Sequence, residues 1–185
     1  MKIAVIGIGN VLFCDEGVGV YAAAFLQHNY SFAPSIDIVD GGTLGFKLMN
    51  FYQEYDRVII IDTVSIDDTP GSIYNLPADA LLGLGKYRNT AHEVEVVEML
   101  EICSLLPKHA DVSVIGIVPE DIESVKIDLT PTIKQNFHHL IQTVIAQLQK
   151  ENIAATPKEG ISLEEILHRY NNPTMKLANG IEANL

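Results

Sequence analysis

The amino-acid sequence predicts an α/β protein: a single-domain, doubly wound, mostly parallel twisted sheet with helices on both faces, plus a C-terminal helical and mobile extension. Three observations predict it. Apolar runs of strand length, residues 2–8 and 57–61 foremost, carry branched residues without polar alternation, as strands covered on both faces do. Stretches of helical length separate them. The 185 residues, 48% hydrophobic and 19% charged, suit one domain of the usual ~100–200 residues. A chain of that size buries roughly 70% of its unfolded surface and needs no disulfide to fold.

Residues 2–8, an Ile/Val run that follows Lys2 and is bounded by Gly7 and Gly9, are predicted as a central strand. Residues 17–29 read as a helix, with Asp15 and Glu16 placed near its positive N-terminal end. Residues 36–39 make a short strand that runs into Asp40-Gly41-Gly42, and 44–52 a helix. Residues 57–61 (RVIII) are the clearest buried strand, with Asp62 at its carboxyl end. After a Pro70-Gly71 turn, residues 72–76 look like a short edge strand. Val94, Val97, Leu100 and Leu105 give helical spacing over 92–106. Residues 111–118 are a strong strand stopped by Pro119. Thr130-Pro131 opens a long helix to residue 150, because proline is tolerated in a first helical turn.

Residues 1–150 thus make up the α/β domain, and 151–185 an extension. Ser162-Leu163-Glu164-Glu165 is a capping box, flanked by Ile161 and Ile166 for a hydrophobic staple, so a short helix to Tyr170 is predicted. Beyond Asn171 there is no periodicity, and a mobile tail is expected.

Charge narrows the function. With 24 acidic against 12 basic residues, a formal net charge of -12 and no basic run, the chain lacks the Lys/Arg footprint of a nucleic-acid binder. Anionic membranes are disfavoured for the same reason, and no stretch reaches the ~18–20 apolar residues of a span. Residues 1–13 carry one lysine and no small-residue cleavage site, and so read as a strand rather than a leader. Cys14 and Cys103 lie in no CxxC pattern, which points to a reducing compartment. A cytoplasmic monomer is the expectation.

The loop after the first strand is decisive. Gly7-Ile8-Gly9-Asn10-Val11-Leu12 starts like a dinucleotide fingerprint, yet Leu12 stands where the third glycine belongs. Asp15 and Glu16 would repel a pyrophosphate at the helix start. No nucleotide is expected; the loop suits a cation or no ligand at all. In open α/β sheets, ligands bind beyond the carboxyl ends of strands, where strand order reverses. With the order 2-1-3-4, Glu16 after the first strand and Asp62 at the end of the third flank that crevice. His92, at the mouth of the next helix, reaches it too. Alone, each has an ordinary role: Glu16 complements a helix dipole, Asp62 caps a turn, His92 is a solvated residue at a helix start. Together they make a candidate metal site with open positions. Cys14 is expected to be a small buried hydrophobe, and His92-Glu93-Val94-Glu95-Val96 lacks the second histidine of HExxH.

These residues also carry a family resemblance. GIGNVLFCDEGVGV at 7–20, DGGTLG at 40–45, IIIDTV at 59–64, TAHEVEVVEML at 90–100 and GIVPEDIE at 116–123 follow one another as in the hydrogenase maturation endopeptidases, over about residues 1–150. Thr90 stands where many members have serine, and Glu93 where many have glutamine. The resemblance implies a peptidase, aspartyl-type or metal-dependent, that removes a C-terminal extension from the precursor of a nickel–iron hydrogenase large subunit after nickel insertion. It implies that Glu16, Asp62 and His92 contact nickel supplied by the substrate. The DGGT aspartate carries over onto Asp40, as general base or positioning group beside the catalytic carboxylates Glu16 and Asp62. A non-proteolytic nickel-binding chaperone or sensor in hydrogenase assembly is the alternative; the chain lacks the His-rich or Cys-rich tracts such carriers usually have.

Overall fold

A computed structural model of the chain describes residues 1–43, 48–77, 80, 98–99, 101–102 and 109–173. Much of the helix predicted over 92–106, including His92, lies outside these residues, as do the start of the helix predicted over 44–52 and the tail from 174. In chain order the elements are β1 (Ile3–Ile8), a 3-10 turn (Asp15–Gly17), α1 (Val18–Asn29), β2 (Tyr30–Ala33), β3 (Asp37–Gly42), α2 (Met49–Glu54), β4 (Arg57–Thr63), β5 (Ile73–Pro77), β6 (Asp111–Ile117), α3 (Pro131–Lys150), β7 (Ala154–Pro157) and α4 (Leu163–Asn171).

Five strands form the main sheet in the order β3-β1-β4-β6-β5. The first four are mutually parallel, and β5 joins antiparallel at the edge. The predicted α/β class is therefore the observed one, with the strand after Pro70-Gly71 at the edge as expected. Every residue of β1 and β4 is buried, because both faces are covered. One face packs against α1, α3 and α4 through Val5, Ile59, Ile61, Tyr21, Leu26 and Ile141. The other packs against α2 through Ile6, Ile60, Val114 and Tyr52, with Met99 in the same layer. At the amino ends of the strands, buried Arg57 pairs with Asp111 at 3.1 Å and Glu151 at 3.4 Å, and donates to Ser113 Oγ at 2.7 Å.

Helix α3 begins where the sequence placed it. Thr130 is its N-cap, with Oγ1 accepting from the Ile133 N–H at 3.4 Å, and Pro131 follows in the first turn. Likewise Ser162 caps α4 by accepting from the Glu165 N–H at 3.1 Å. The segment after residue 150 holds an element that periodicity did not reveal. Strand β7 pairs antiparallel with β2, Tyr30 opposite Pro157 and Ala33 opposite Ala154. Ile153, Leu163, Ile166 and Leu167 then join the core on the α1 face.

Candidate active site

Close backbone approach sets the geometry at the carboxyl ends of β1 and β4. Gly19, in the first turn of α1, lies so near the sheet that a Cβ there would stand 2.1 Å from the Ile61 carbonyl oxygen and 2.3 Å from that of Ile8. The helix start is thereby pressed onto the ends of two adjacent strands, which pair Gly7 with Ile61. Gly9 has φ +139, and a Cβ on it would meet the Glu16 carbonyl oxygen at 1.8 Å, so this position takes glycine on both counts. The outcome is that the 3-10 turn carrying Glu16 lies against β4, whose penultimate residue is Asp62.

Asp15 and Glu16, neighbours in sequence, have different surroundings. The Asp15 carboxylate is fully buried and accepts from the backbone N–H groups of Glu120 (2.9 Å), Asp121 (2.9 Å) and Thr130 (2.7 Å), and from Thr130 Oγ1 at 3.0 Å. It is a clamp that joins the first loop to the segment leading into α3. Backbone bonds reinforce the joint: Cys14 N–H to Ser124 O at 3.0 Å, Asp15 N–H to Asp121 O at 2.9 Å, and Lys126 N–H to Leu12 O at 2.9 Å. No sequence pattern signals this role, since its donors are backbone groups more than a hundred residues away. Cys14 is buried, and burial, then the neighbouring Asp15 charge, pushes its thiol above the usual range. That suits an inert apolar filler rather than a nucleophile.

Glu16 and Asp62 are both buried. Asp62 accepts from the Thr63 N–H at 2.7 Å, and the alternation of β4 turns it toward the layer of Ile60 and Val64. Met99, further along the chain from His92, is buried in that same layer. Two buried acids thus stand at the carboxyl end of the sheet, where open α/β folds place ligands. Among the described residues there is no group of three or more metal-binding side chains; His92, the third predicted ligand, is outside them.

Asp40 stands apart from this pair. It pairs across the sheet with Gly7, which pairs in turn with Ile61. Two strand spacings of ~4.8 Å therefore put its backbone roughly 10 Å from that of β4. Its Oδ1 accepts from the Gly42 N–H at 3.1 Å, and its Oδ2 from the Tyr170 hydroxyl at 2.9 Å. Gly42 itself has φ +46, a conformation that glycine adopts without steric cost. On the other side of Asp62, beyond the carboxyl ends of β4 and β6, lies an open cavity of about 380 Å³. Its apolar lining includes Val64, Ile66 and Val118, and its acidic rim Asp67, Asp68 and Glu120.

Comparison with known proteins identifies the scaffold. A profile of the hydrogenase maturation protease family matches residues 20–147. The hydrogenase 2 maturation protease of Escherichia coli (strain K12) is 31% identical over 165 residues, which span 87% of this chain and 99% of that protein. A hydrogenase expression/formation protein, HupD of Bradyrhizobium diazoefficiens, is 34% identical over 137 residues, covering 72% of this chain and 70% of its own. The solved structure of the hydrogenase maturating endopeptidase HybD from E. coli superposes with a TM-score of 0.79 at 29% identity, over 85% of this chain and 98% of that one. With a sheet of this order and a matching profile over most of its length, the chain belongs to the hydrogenase maturation protease family.

Proposed function

We propose that this protein is the endopeptidase that trims the C-terminal extension from a nickel–iron hydrogenase large-subunit precursor once nickel has been inserted. Glu16, Asp62 and His92 contact the nickel that the precursor already carries, so that only a metal-loaded substrate docks. Asp40, held on the neighbouring strand, serves as general base or orients the scissile peptide. The observation that carries this reading is the burial of two carboxylates, Glu16 in the 3-10 turn that follows β1 and Asp62 near the carboxyl end of the adjacent strand β4, in a chain of the protease family. Glu16, Asp62 and His92 would hold that nickel, which when bound would supply Lewis acidity toward the carbonyl or a water. The chain's own acids hold the substrate's metal, and Asp40 receives or positions a proton at the attacking oxygen. No helix among the described residues is long and apolar enough to cross a membrane. The compartment proposed for the reaction is the cytoplasm, a reducing environment that suits two cysteines outside any CxxC pattern.

The test is incubation of the purified protein with a nickel-loaded large-subunit precursor and with its metal-free form, followed by intact mass. Loss of the C-terminal segment only from the loaded form is the expected result. Equal cutting of both refutes metal reading. Binding without cutting of either refutes the peptidase and favours a nickel-binding assembly module.

A further inference from the structure

Tyr170 sits in the last turn of α4, 130 positions from Asp40 in sequence, yet its hydroxyl donates to Asp40 Oδ2 at 2.9 Å. Its ring stands edge-on to Tyr21, with centroids 5.2 Å apart at 76°. Tyr21 is fully buried and donates to the Val11 carbonyl at 3.3 Å, so the support beneath Tyr170 belongs to the same loop and helix that carry Glu16. The helix is anchored at both ends. Leu163, Ile166 and Leu167 are in the core, and Asn171 Nδ2 donates to the Ile127 carbonyl at 2.7 Å.

The consequence falls on Asp40. An aspartate on a strand end exposed to solvent samples several rotamers. Here one oxygen takes the Gly42 N–H and the other takes the phenol, so the carboxylate plane is set from two directions. Burial, and then the Asp40 charge, pushes the Tyr170 phenol far above its usual range, which keeps it a donor throughout the neutral region.

We infer that Tyr170 is a positioning residue for Asp40, and that α4, through this hydroxyl, is a working part of the peptidase rather than a decoration on it. The inference rests on the role given to Asp40 above. It makes the segment after residue 150 a brace that orients the carboxylate toward the scissile peptide.

The test is a double-mutant cycle on the full chain: wild type, Tyr170→Phe, Asp40→Ala and the double variant, each assayed on nickel-loaded precursor. Phenylalanine keeps the ring against Tyr21 and removes only the hydroxyl. The expected result for Tyr170→Phe is a kcat about tenfold lower, with KM changed less than about twofold, the loss typical of a hydrogen bond to a charged group. In the Asp40→Ala background the same change should cost nothing further. An amide spectrum should show the Gly42 N–H resonance displaced in Tyr170→Phe, with the thermal midpoint close to wild type. A wild-type kcat for Tyr170→Phe overturns the inference, as does a double variant whose defects multiply. If Asp40→Ala processes normally, Asp40 is not in the machinery and the inference falls with it. If wild type leaves every precursor uncut, the peptidase assignment is what fails, and the Gly42 displacement still reports whether the brace exists.

Discussion

Replacing Gly19 by alanine tests the geometry on which the site depends. In an exposed helix this change stabilises by ~1 kcal/mol through propensity. Here the new methyl would fall 2.1 Å from the Ile61 carbonyl oxygen and 2.3 Å from the Ile8 carbonyl oxygen. Both are backbone atoms of buried central strands, so no flexible side chain can yield. Overpacking a close-packed core costs ~1–3 kcal/mol, and more when backbone must move; with two carbonyls in the way, about 4 kcal/mol is reasonable. Net of propensity, Gly19→Ala is expected to lose about 3 kcal/mol. For a domain of this size, each kcal/mol lowers the melting midpoint by ~2–4 °C, so a fall of roughly 6–12 °C is expected in a far-UV circular dichroism melt. The surviving folded fraction should also process precursor more slowly, because relief of the clash lifts the helix start, and Glu16 with it, away from Asp62. A midpoint equal to or above wild type would show that propensity prevails and that α1 does not lie this close to the sheet.

Other expectations follow from the same contacts. Asp15→Ala leaves the N–H groups of Glu120, Asp121 and Thr130 without their acceptor and should cost about 3–5 kcal/mol in urea unfolding; a loss below 1 kcal/mol would show that water replaces the clamp. Asp128 is pushed up by burial, but hydrogen bonds from Lys126, Lys134 and the Leu129 N–H outweigh this and hold it at about 2 against the ordinary 3.8. A depressed carboxylate stabilises the fold above its unfolded pKa and loses that contribution as pH falls from about 4 to about 2. Wild type should therefore exceed Asp128→Asn by about 1 kcal/mol at pH 6, after allowance for solvent screening, and by nothing near pH 2. His92→Ala should abolish processing of nickel-loaded precursor while leaving the thermal midpoint within a degree or two; retained cleavage would remove this histidine from the site.

Much of the sheet was legible because its strands advertise themselves. RVIII has no polar alternation, and a strand buried on both faces needs none. The strand order followed from topology: with the first strand between the second and third, the loops after the first and third leave the same end of the sheet, and Glu16 and Asp62 stand on those two segments. Long-range pairings without a periodic signature were not legible. Strands β2 and β7 have four residues each and are stabilised by each other and by the core beneath them, so neither YSFA nor AATP stands out alone. Asp15 looked like a second charge at a helix start. Its role as an acceptor for three backbone N–H groups depends on where residues 120–130 return to, which sequence spacing does not encode. The Tyr170 hydroxyl was invisible for the same reason. The capping box at Ser162, by contrast, is local chemistry, and α4 begins where it says.

The late arrival of β7 and α4 has a consequence for biosynthesis. The apolar layer over α1 is finished by Ile153, Leu163, Ile166 and Leu167, which are translated more than a hundred codons after Leu26, the residue they help to enclose. At ~5–20 residues per second, the nascent polypeptide spends on the order of ten seconds with this flank uncovered. It stays uncovered until the last turns have cleared the ribosomal exit tunnel. Over that interval the emerging polypeptide is a natural client for chaperones.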